Sequence, residues 1–250
     1  MDIQIKECLA SLHSRHINGI FAENSLEARL KILDLIPKDA AVGIGDSTTV
    51  RQLGILKELK ERGTKVLDAF DPEEAKMNPQ KGQEHYRRSI IKEATMCGVF
   101  LTGSNVITID GRLVNVDAAG NRVAGMFWGH TNSIIVIGGN KIVKDLSEAF
   151  HRIRNIIAPN HIRIRSVELG GREFKTPCVV TGECNDCRAT DRACNIFTII
   201  EGKPFRTTLN VIIVNEDLGL SWEPSWPQER IAQIIENYKK FVWVPIKDHS

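Results

Sequence analysis

A strand–helix–strand pattern between residues 40 and 69 constrains the fold more than any other feature of this sequence. The apolar segment Ala40 to Ile44 leads into an amphipathic segment from about Thr49 to Arg62, and the apolar segment Lys65 to Ala69 follows. Two sheet strands that are joined through a helix run parallel to each other. The pattern therefore predicts an α/β protein whose sheet is mainly parallel.

Further segments extend this alternation along the chain. Gly98 to Leu101 and Ser133 to Ile137 have the composition of buried strands, and Asp110-Gly111 between two short apolar segments predicts a β-hairpin. We expect one α/β domain over residues 1–220. Within and after it, the expected elements are a helical lead-in over 1–36, a surface loop over 71–84, a strand over 162–169, a late hairpin of 198–201 with 209–214, and a helical tail in 221–250.

Length and charge exclude several classes of protein. With 250 residues, of which 42% are hydrophobic, the chain can bury a sizeable core without a metal. Its 33 basic and 31 acidic side chains nearly balance, so the basic surface expected of a nucleic-acid-binding protein is missing. The longest apolar runs are too short to cross a bilayer, and the charged N-terminus is unlike a signal peptide. These features predict a cytoplasmic protein whose thiols stay reduced unless a metal binds them.

Four of the six cysteines lie close together in a polar segment, which we expect to form an inserted loop over residues 176–198. Clustered thiolates bind soft ions or iron–sulfur clusters, and short spacings let one loop surround the metal. One Cys-x2-Cys pair with two single arms differs from the two pairs of a structural zinc site. We therefore predict an iron–sulfur cluster of the [4Fe–4S] type, with zinc as the alternative. The predicted ligands are Cys178, Cys184, Cys187 and Cys194.

Other states of these cysteines remain open. Free thiols are one, and disulfides are another, although disulfides require an oxidising compartment for which the sequence offers no support. If only three cysteines bind, an iron keeps a free coordination position that can take a substrate. The spacing does not separate that arrangement from electron transfer.

Two polar segments have the residues expected of an anion-binding site. The first, Gly43 to Thr49, stands where a strand meets a helix, so its hydroxyls and the helix N-terminus suit phosphate or carboxylate. Ordinary helix capping is the alternative. Because the segment lacks the dinucleotide fingerprint and the Walker lysine, it does not predict an NAD or ATP site.

The second polar segment runs from Gly103 to Arg122. Its Asn and Asp side chains can hold a charged or hydroxylated small molecule, with Arg122 as the partner of an anion, although tight turns use the same residue types. A basic group between residues 152 and 172 is interpreted as a solvent-exposed face in preference to a contact with an acidic partner or an anionic substrate. Its members are Arg152, Arg154, His161, Arg163, Arg165 and Arg172.

The order of these motifs resembles one known family. The segments AVGIGDSTTVRQLGIL (41–56), TGSN (102–105) and ITIDGRLVNVDAAGNRVAGMFWGHTNSIIVIGGNKIV (107–143) are similar to the LUD domain, the lactate-utilisation family. The resemblance implies a three-layer α/β/α fold similar to the ribose-5-phosphate isomerase A and CoA-transferase superfamily, in which the loops at the strand ends form one pocket. The ligand-binding residues that it implies are Gly45, Asp46, Ser47, Thr48, Ser104, Asn105, Asp117, Asn121 and Arg122.

The resemblance also leaves two functions of different classes. LUD proteins of lactate-utilisation operons are associated with oxidation of L-lactate to pyruvate through partner iron–sulfur proteins. By this resemblance the chain is a redox or electron-transfer component with a redox partner protein and a small organic acid as ligand. The alternative is an isomerase-like or binding protein for a sugar phosphate or acyl compound, with a structural metal. The catalytic carboxylate and lysine of the isomerase are not recognisable, and a homo-oligomer remains open.

Overall fold

The computed structural model of this protein describes residues 2–71 and 84–244. The predicted surface loop over 71–84 therefore lies outside the described residues except at its two ends. The α-helices are α1 (Ile3–Ser14), α2 (Ser25–Leu35), α3 (Thr48–Leu53), α4 (Ile55–Glu61), α5 (Glu84–Ala94), α6 (Asn121–Phe127), α7 (Leu146–Arg152), α8 (Ala158–Arg163), α9 (Cys178–Thr181) and α10 (Gln228–Lys239). The strands are β1 (Asn18–Ala22), β2 (Ala41–Ile44), β3 (Lys65–Leu67), β4 (Val99–Gly103), β5 (Val106–Thr108), β6 (Leu113–Asp117), β7 (Asn132–Gly138), β8 (Ile142–Val143), β9 (Ile196–Ile200) and β10 (Thr208–Val214).

Six of these strands form a central sheet in the order β1-β10-β7-β4-β2-β3. Every pairing in it is parallel. The unit formed by β2, the helices α3 and α4, and β3 is the strand–helix–strand pattern of the sequence, so the predicted parallel sheet is confirmed. All carboxyl ends of these strands consequently meet along one edge of the sheet.

The central sheet is apolar on both faces, as parallel sheets covered by helices are. On one face Val136 and Ile212 pack against α2, α3 and α4. On the other face Ile135 and Ile213 pack against α1, α6 and a second, smaller sheet. Neighbouring residues of each strand thus point alternately into two cores, one on each face of the sheet. Helices cover both cores, which gives the three-layer α/β/α fold that the resemblance implies.

The smaller sheet has the order β8-β5-β6-β9. Strands β5 and β6 form the predicted hairpin, and its turn requires Gly111, whose φ of +87° lies in the region that favours glycine. The outer face of this sheet packs against the helical segment that begins with α7, where Ala149 and Ile153 contact Val106 and Val114.

The segment predicted as a strand over 162–169 is helical. Helix α7 continues through a π-helical stretch (Ile153–Ile157), α8 and a second π-helical stretch (Ile164–Glu168). The alternation of isoleucine and arginine suggested a strand with one exposed face. That prediction was wrong because Arg165, only 9% exposed, is buried beside Ile162 and Ile164 and therefore does not mark a solvent face.

The predicted late hairpin was also wrong. Strand β9 pairs antiparallel with β6 in the smaller sheet, whereas β10 lies between β1 and β7 in the central sheet. Six of the seven residues of β10 are buried, which is typical of a central parallel strand and not of a hairpin arm. The helical lead-in contains α1 and α2 as expected, and it additionally contributes β1 to the edge of the central sheet.

Helix α10, the expected tail helix, packs on the body of the protein. Ile231, Ile234 and Tyr238 join a buried cluster with Ile156 and Ile164 of the π-helical stretches. Within residues 2–71 and 84–244, the structure contains no helix of the length and apolar character needed to cross a membrane.

Candidate functional site

A cleft of about 460 Å³ opens at the carboxyl edge of the central sheet. Open parallel sheets bind their ligands at this edge, because the loops that leave neighbouring strands converge there. The loop after β2 supplies Asp46 to Thr49, the loop after β4 supplies Ser104 and Asn105, and the turn after β7 supplies Lys141. The loop after β10 supplies Gly219, and α10 supplies Tyr238.

Eight of the nine predicted ligand-binding residues line this cleft, namely Asp46, Ser47, Thr48, Ser104, Asn105, Asp117, Asn121 and Arg122. Gly45 is not among the lining residues. A Cβ at Gly45 would lie 2.6 Å from the side-chain oxygen of Thr102 and 3.0 Å from the ring of Phe100, so glycine serves packing there. Ser47 caps α3 by accepting a hydrogen bond from Val50 N at 3.3 Å, as expected if this segment serves helix capping. The hydroxyl proton of Ser47 is not used in this bond and remains available to a ligand.

Lys141 was not predicted, and it is the most unusual group in the cleft. Only 5% exposed, it donates hydrogen bonds from Nζ to Thr49 Oγ1 at 2.8 Å and to the carbonyl oxygen of Ser104 at 3.0 Å. No salt bridge joins it to a carboxylate within the described part of the chain. Burial, aided by the positive charge of Arg122, lowers the pKa of Lys141 to about 7.

Arg122 organises the floor of the cleft. Its Nη1 donates to Gly103 O at 3.1 Å and to Asn115 Oδ1 at 2.9 Å, and its Nη2 donates to Asn105 Oδ1 at 3.0 Å and to Val116 O at 2.7 Å. Its Nε lies 3.6 Å from a carboxylate oxygen of Asp117. Because these partners occupy the hydrogen-bond donors of Arg122, this residue attracts an anionic ligand mainly through its charge.

Asp117 and Asn105 likewise combine structural contacts with a place in the cleft. Asp117 Oδ1 accepts from the backbone N–H groups of Ala119 and Gly120, which shapes the turn before α6. Asn105 Oδ1 accepts hydrogen bonds from Val116 N and Arg122. The side-chain nitrogen of Asn105, Nδ2, donates to no atom of the described residues. Of the two, Asn105 therefore retains donors for a ligand.

His161, Arg165 and Tyr238 form a hydrogen-bonded chain along one wall. Arg165 Nη1 donates to His161 Nε2 at 2.8 Å, so the proton of the neutral imidazole sits on Nδ1 and is donated to the Tyr238 hydroxyl at 2.6 Å. Burial and the neighbouring Arg165 charge lower the pKa of His161 well below its ordinary value, which keeps the ring neutral. The Tyr238 hydroxyl also hydrogen-bonds the side chain of Thr48, and burial raises its pKa to about 12.

Aromatic and guanidinium groups close the outer end of the cleft. The rings of Phe70 and Trp243 meet edge to face with centroids 5.3 Å apart. The guanidinium of Arg87 lies 4.3 Å from the Trp243 ring centroid, and that of Arg165 lies 5.0 Å from it. Such cation–π contacts favour the charged arginines at this end.

Cations outnumber carboxylates around the cleft, and this corrects the interpretation of the basic group at 152–172. His161 and Arg165 line the cleft and are largely shielded from solvent, and Arg152 is 2% exposed and pairs with Glu148, so a solvent-exposed face was the wrong prediction for these three. The other three basic residues of this group, Arg154, Arg163 and Arg172, keep substantial exposure, and Arg172 also lines the cleft. The lining cations are Arg87, Arg122, Lys141, Arg165 and Arg172, against the carboxylates Asp46, Asp117 and Asp191.

The cysteine loop borders the cleft. Asp191 and Ala193, which lie between Cys187 and Cys194 in sequence, line it, although none of the four cysteines does. Asp191 accepts a hydrogen bond from Lys175 N at 2.7 Å, and Arg154 contacts Asp186 at 3.7 Å, so the loop is attached to the neighbouring helical segment. The loop thus forms part of the rim.

The four predicted metal ligands are free, partly buried thiols. Burial, together with the charges of the other three cysteines, raises the pKa of Cys194 to about 11. Asp186, within the Cys-x2-Cys turn, has a φ of +45°, a conformation that Asp tolerates. Among the described residues, no three His, Cys, Asp or Glu side chains already form a group that can hold a metal ion. Thiols are the donor type that soft metal ions favour.

The sequence profile of the LUD domain matches residues 5–214. The chain belongs to the LUD domain family. A search of curated proteins gave no match to this LUD domain protein. A similar solved structure is the crystal structure of a DUF162 family protein from Deinococcus radiodurans at 1.70 Å resolution; it is 16% identical, with 85% of this chain and 94% of that chain covered and a TM-score of 0.44.

Proposed function

We propose that this LUD domain protein binds a small organic anion, either a carboxylate or a phosphorylated compound, in the cleft. One observation carries the proposal: Arg165 is buried in the cleft and forms no salt bridge with a carboxylate of the described residues. Buried charges are normally paired, because an isolated charge loses its hydration. An anionic ligand supplies the missing partner.

Unused hydrogen-bond donors support the same conclusion. Arg165 Nε is buried without a hydrogen-bond partner in the described chain. The side-chain nitrogen Nδ2 of Asn105 also has no partner there. The hydroxyl of Ser47 has a proton to donate, as noted above. Cleft-lining donors that lack partners mark places where a ligand restores hydrogen bonds. Carboxylate and phosphate oxygens accept several such bonds at once.

Binding measurements with a matched pair of variants test this proposal. Calorimetry with L-lactate, pyruvate and ribose 5-phosphate should detect at least one ligand, whereas the uncharged amide of lactate should not bind. Arg165→Gln should weaken binding by at least about tenfold, because a charge-assisted contact is lost. Arg163→Gln, on the exposed side of the same helical segment, should leave the affinity unchanged. Equal affinities for the charged ligand and the uncharged amide would contradict the proposal.

We further propose that Cys178, Cys184, Cys187 and Cys194 hold an iron–sulfur cluster, with zinc as the alternative, and that the protein acts as a redox component in the metabolism of lactate or a related acid. The observation that favours it is the grouping of four free thiols within one loop that borders the cleft. When bound, such a cluster would accept or pass single electrons. The four cysteines would provide its thiolates, and the loop borders the cleft through Asp191 and Ala193.

Anaerobic purification followed by iron, sulfide and zinc analysis tests the second proposal. An iron–sulfur protein should be brown, with broad absorbance near about 400 nm that dithionite bleaches. Cys184→Ser or Cys187→Ser should remove most of the iron, and Cys97→Ser, outside the loop, should retain it. A colourless protein with stoichiometric zinc, or iron content that is unchanged in both loop variants, would contradict the iron–sulfur site.

A further inference from the structure

We infer that Lys141 is a reactive amine that forms an imine with the carbonyl carbon of a 2-oxo acid held in the cleft. The inference rests on the proposed anion-binding function and adds a substrate class and a covalent step to it. A lysine amine that reacts with a carbonyl must reach the ligand, must be held in a fixed position and must be available without its proton.

The position of Nζ is fixed by two contacts and by the surrounding backbone. Thr49 Oγ1 and the carbonyl oxygen of Ser104 hold it at 2.8 and 3.0 Å. These contacts use both N–H bonds of the neutral amine. Its lone pair is left for a reaction partner. The Thr49 hydroxyl can accept a proton from Nζ or donate one to it, so the contact persists whether the amine is charged or neutral.

Gly219 lets the amine pack directly against the backbone. A Cβ at this position would lie 2.5 Å from Lys141 Nζ and 2.6 Å from Lys141 Cε, so any side chain would push the amine out of place. Gly219 and Lys141 both line the cleft, so the amine is held where it borders the ligand space. The backbone at Gly219 also has a φ of +72°, which favours glycine for conformational reasons.

The environment provides the neutral amine. No carboxylate of the described residues pairs with Lys141, and the nearby guanidinium of Arg122 repels a second positive charge. With a pKa lowered to about 7, the amine is substantially deprotonated at neutral pH, unlike an exposed lysine. Its lone pair is then free to attack.

The step balances without any further reagent. The Nζ lone pair attacks the carbonyl carbon and forms a C–N bond, and the carbonyl oxygen then leaves as water with the two amine protons, which leaves a C=N bond. Thr49 is placed to move the proton at Nζ. A 2-oxo acid suits this site because its carboxylate is bonded directly to the reacting carbon, and the charge of Arg122 and the free amide donors of Asn105 lie close to Lys141 in the same cleft.

Reductive trapping tests the inference on the intact protein. With pyruvate and cyanoborohydride, the protein should gain one adduct whose mass equals pyruvate minus one oxygen, and peptide mapping should place it on Lys141. L-lactate, which has no ketone, should give no adduct. Lys144→Met, at a nearby exposed lysine, should retain the adduct, and Lys141→Met should lose it. Mapping on the unmodified sequence gives an answer even if Lys141→Met does not fold.

The results separate this inference from the binding proposal. If calorimetry shows saturable binding of pyruvate but no adduct forms on Lys141, the imine is overturned and anion binding stands. Labelling spread over exposed lysines such as Lys57 also overturns it. An adduct on Lys141 with ribose 5-phosphate and none with pyruvate overturns the 2-oxo acid class. If no anion binds at all, the proposed function itself fails.

Discussion

Lys141 opposes folding in a way that depends on pH. Its pKa is lowered from an ordinary value near 10.5 to about 7 by burial, so between these values the unfolded chain carries a proton that the folded protein lacks. The free energy of unfolding therefore rises with pH across this range, and the full penalty of burying the charge is present below about pH 7.

Lys141→Met should remove this dependence. Its stability relative to the unmodified protein should be highest at about pH 6, and this difference should shrink by about 3 kcal/mol on going to about pH 9. Urea unfolding at both pH values measures the difference. A stability difference that is the same at both would show that Lys141 titrates normally.

Gly43 is a second residue with a specific steric role. A Cβ there would lie 2.1 Å from the carbonyl oxygen of Ala94, which is backbone at the end of α5 and cannot move aside cheaply. We expect Gly43→Ala to destabilise the protein by about 2–3 kcal/mol through overpacking. Gly98→Ala is the matched control, because its added Cβ would meet nothing closer than 3.9 Å. Similar unfolding midpoints in denaturant for the two variants would refute this role.

Three strands of the central sheet, β2, β4 and β7, were easier to predict from the sequence than elements whose burial depends on remote partners. The segments that form β2, β4 and β7 are short apolar runs between polar loops, a pattern that is typical of buried strands. The Ile162 to Leu169 segment failed, because its alternating pattern is short and Arg165 is buried by contacts with His161 and Trp243. No local pattern reveals a partner 78 residues away.

Helix α10 stabilises the protein and also carries Tyr238 to the cleft. Ile234, 2% exposed, packs in the cluster between α10 and the π-helical stretches. Ile234→Ala should lower the free energy of unfolding by about 2–4 kcal/mol, since it leaves a cavity. Gln233→Ala, on the exposed face of the same helix, should change it by less than about 0.5 kcal/mol. Thermal and urea unfolding of both variants test this, and equal losses would mean that α10 is not docked.

The cleft, considered as a whole, combines segments that are distant in the sequence. The loops after β2 and β4 were predicted, because polar residues at the carboxyl ends of parallel strands converge. Lys141, His161 and Tyr238 were missed, since a lysine in a Gly-Gly-Asn-Lys turn and a histidine among arginines look like surface residues. Their burial follows from three-dimensional packing, and only the unusual apolar run just before the turn hinted at the position of Lys141.

Ligand binding should therefore stabilise distant segments together. Thr48 after β2 and Tyr238 on α10 are hydrogen-bonded to each other and line the same cleft. Under saturating ligand, amide hydrogen exchange in α3 and α10 should slow by a similar factor, while exchange in α1, on the other side of the sheet, should not change. Slowing confined to one of the two segments would contradict a shared site.

The place of Asp191 and Ala193 on the cleft wall has a thermodynamic consequence for the cysteine loop. A loop that closes around an ion must move these two residues or fix them, and either change alters the space open to an organic anion. Linkage makes the effect mutual, so an ion that changes the affinity for the anion by some factor has its own affinity changed by the same factor. If the loop binds a metal, the occupancy of the cleft would then depend on the supply of metal, and the occupancy of the loop would depend on the supply of the organic anion.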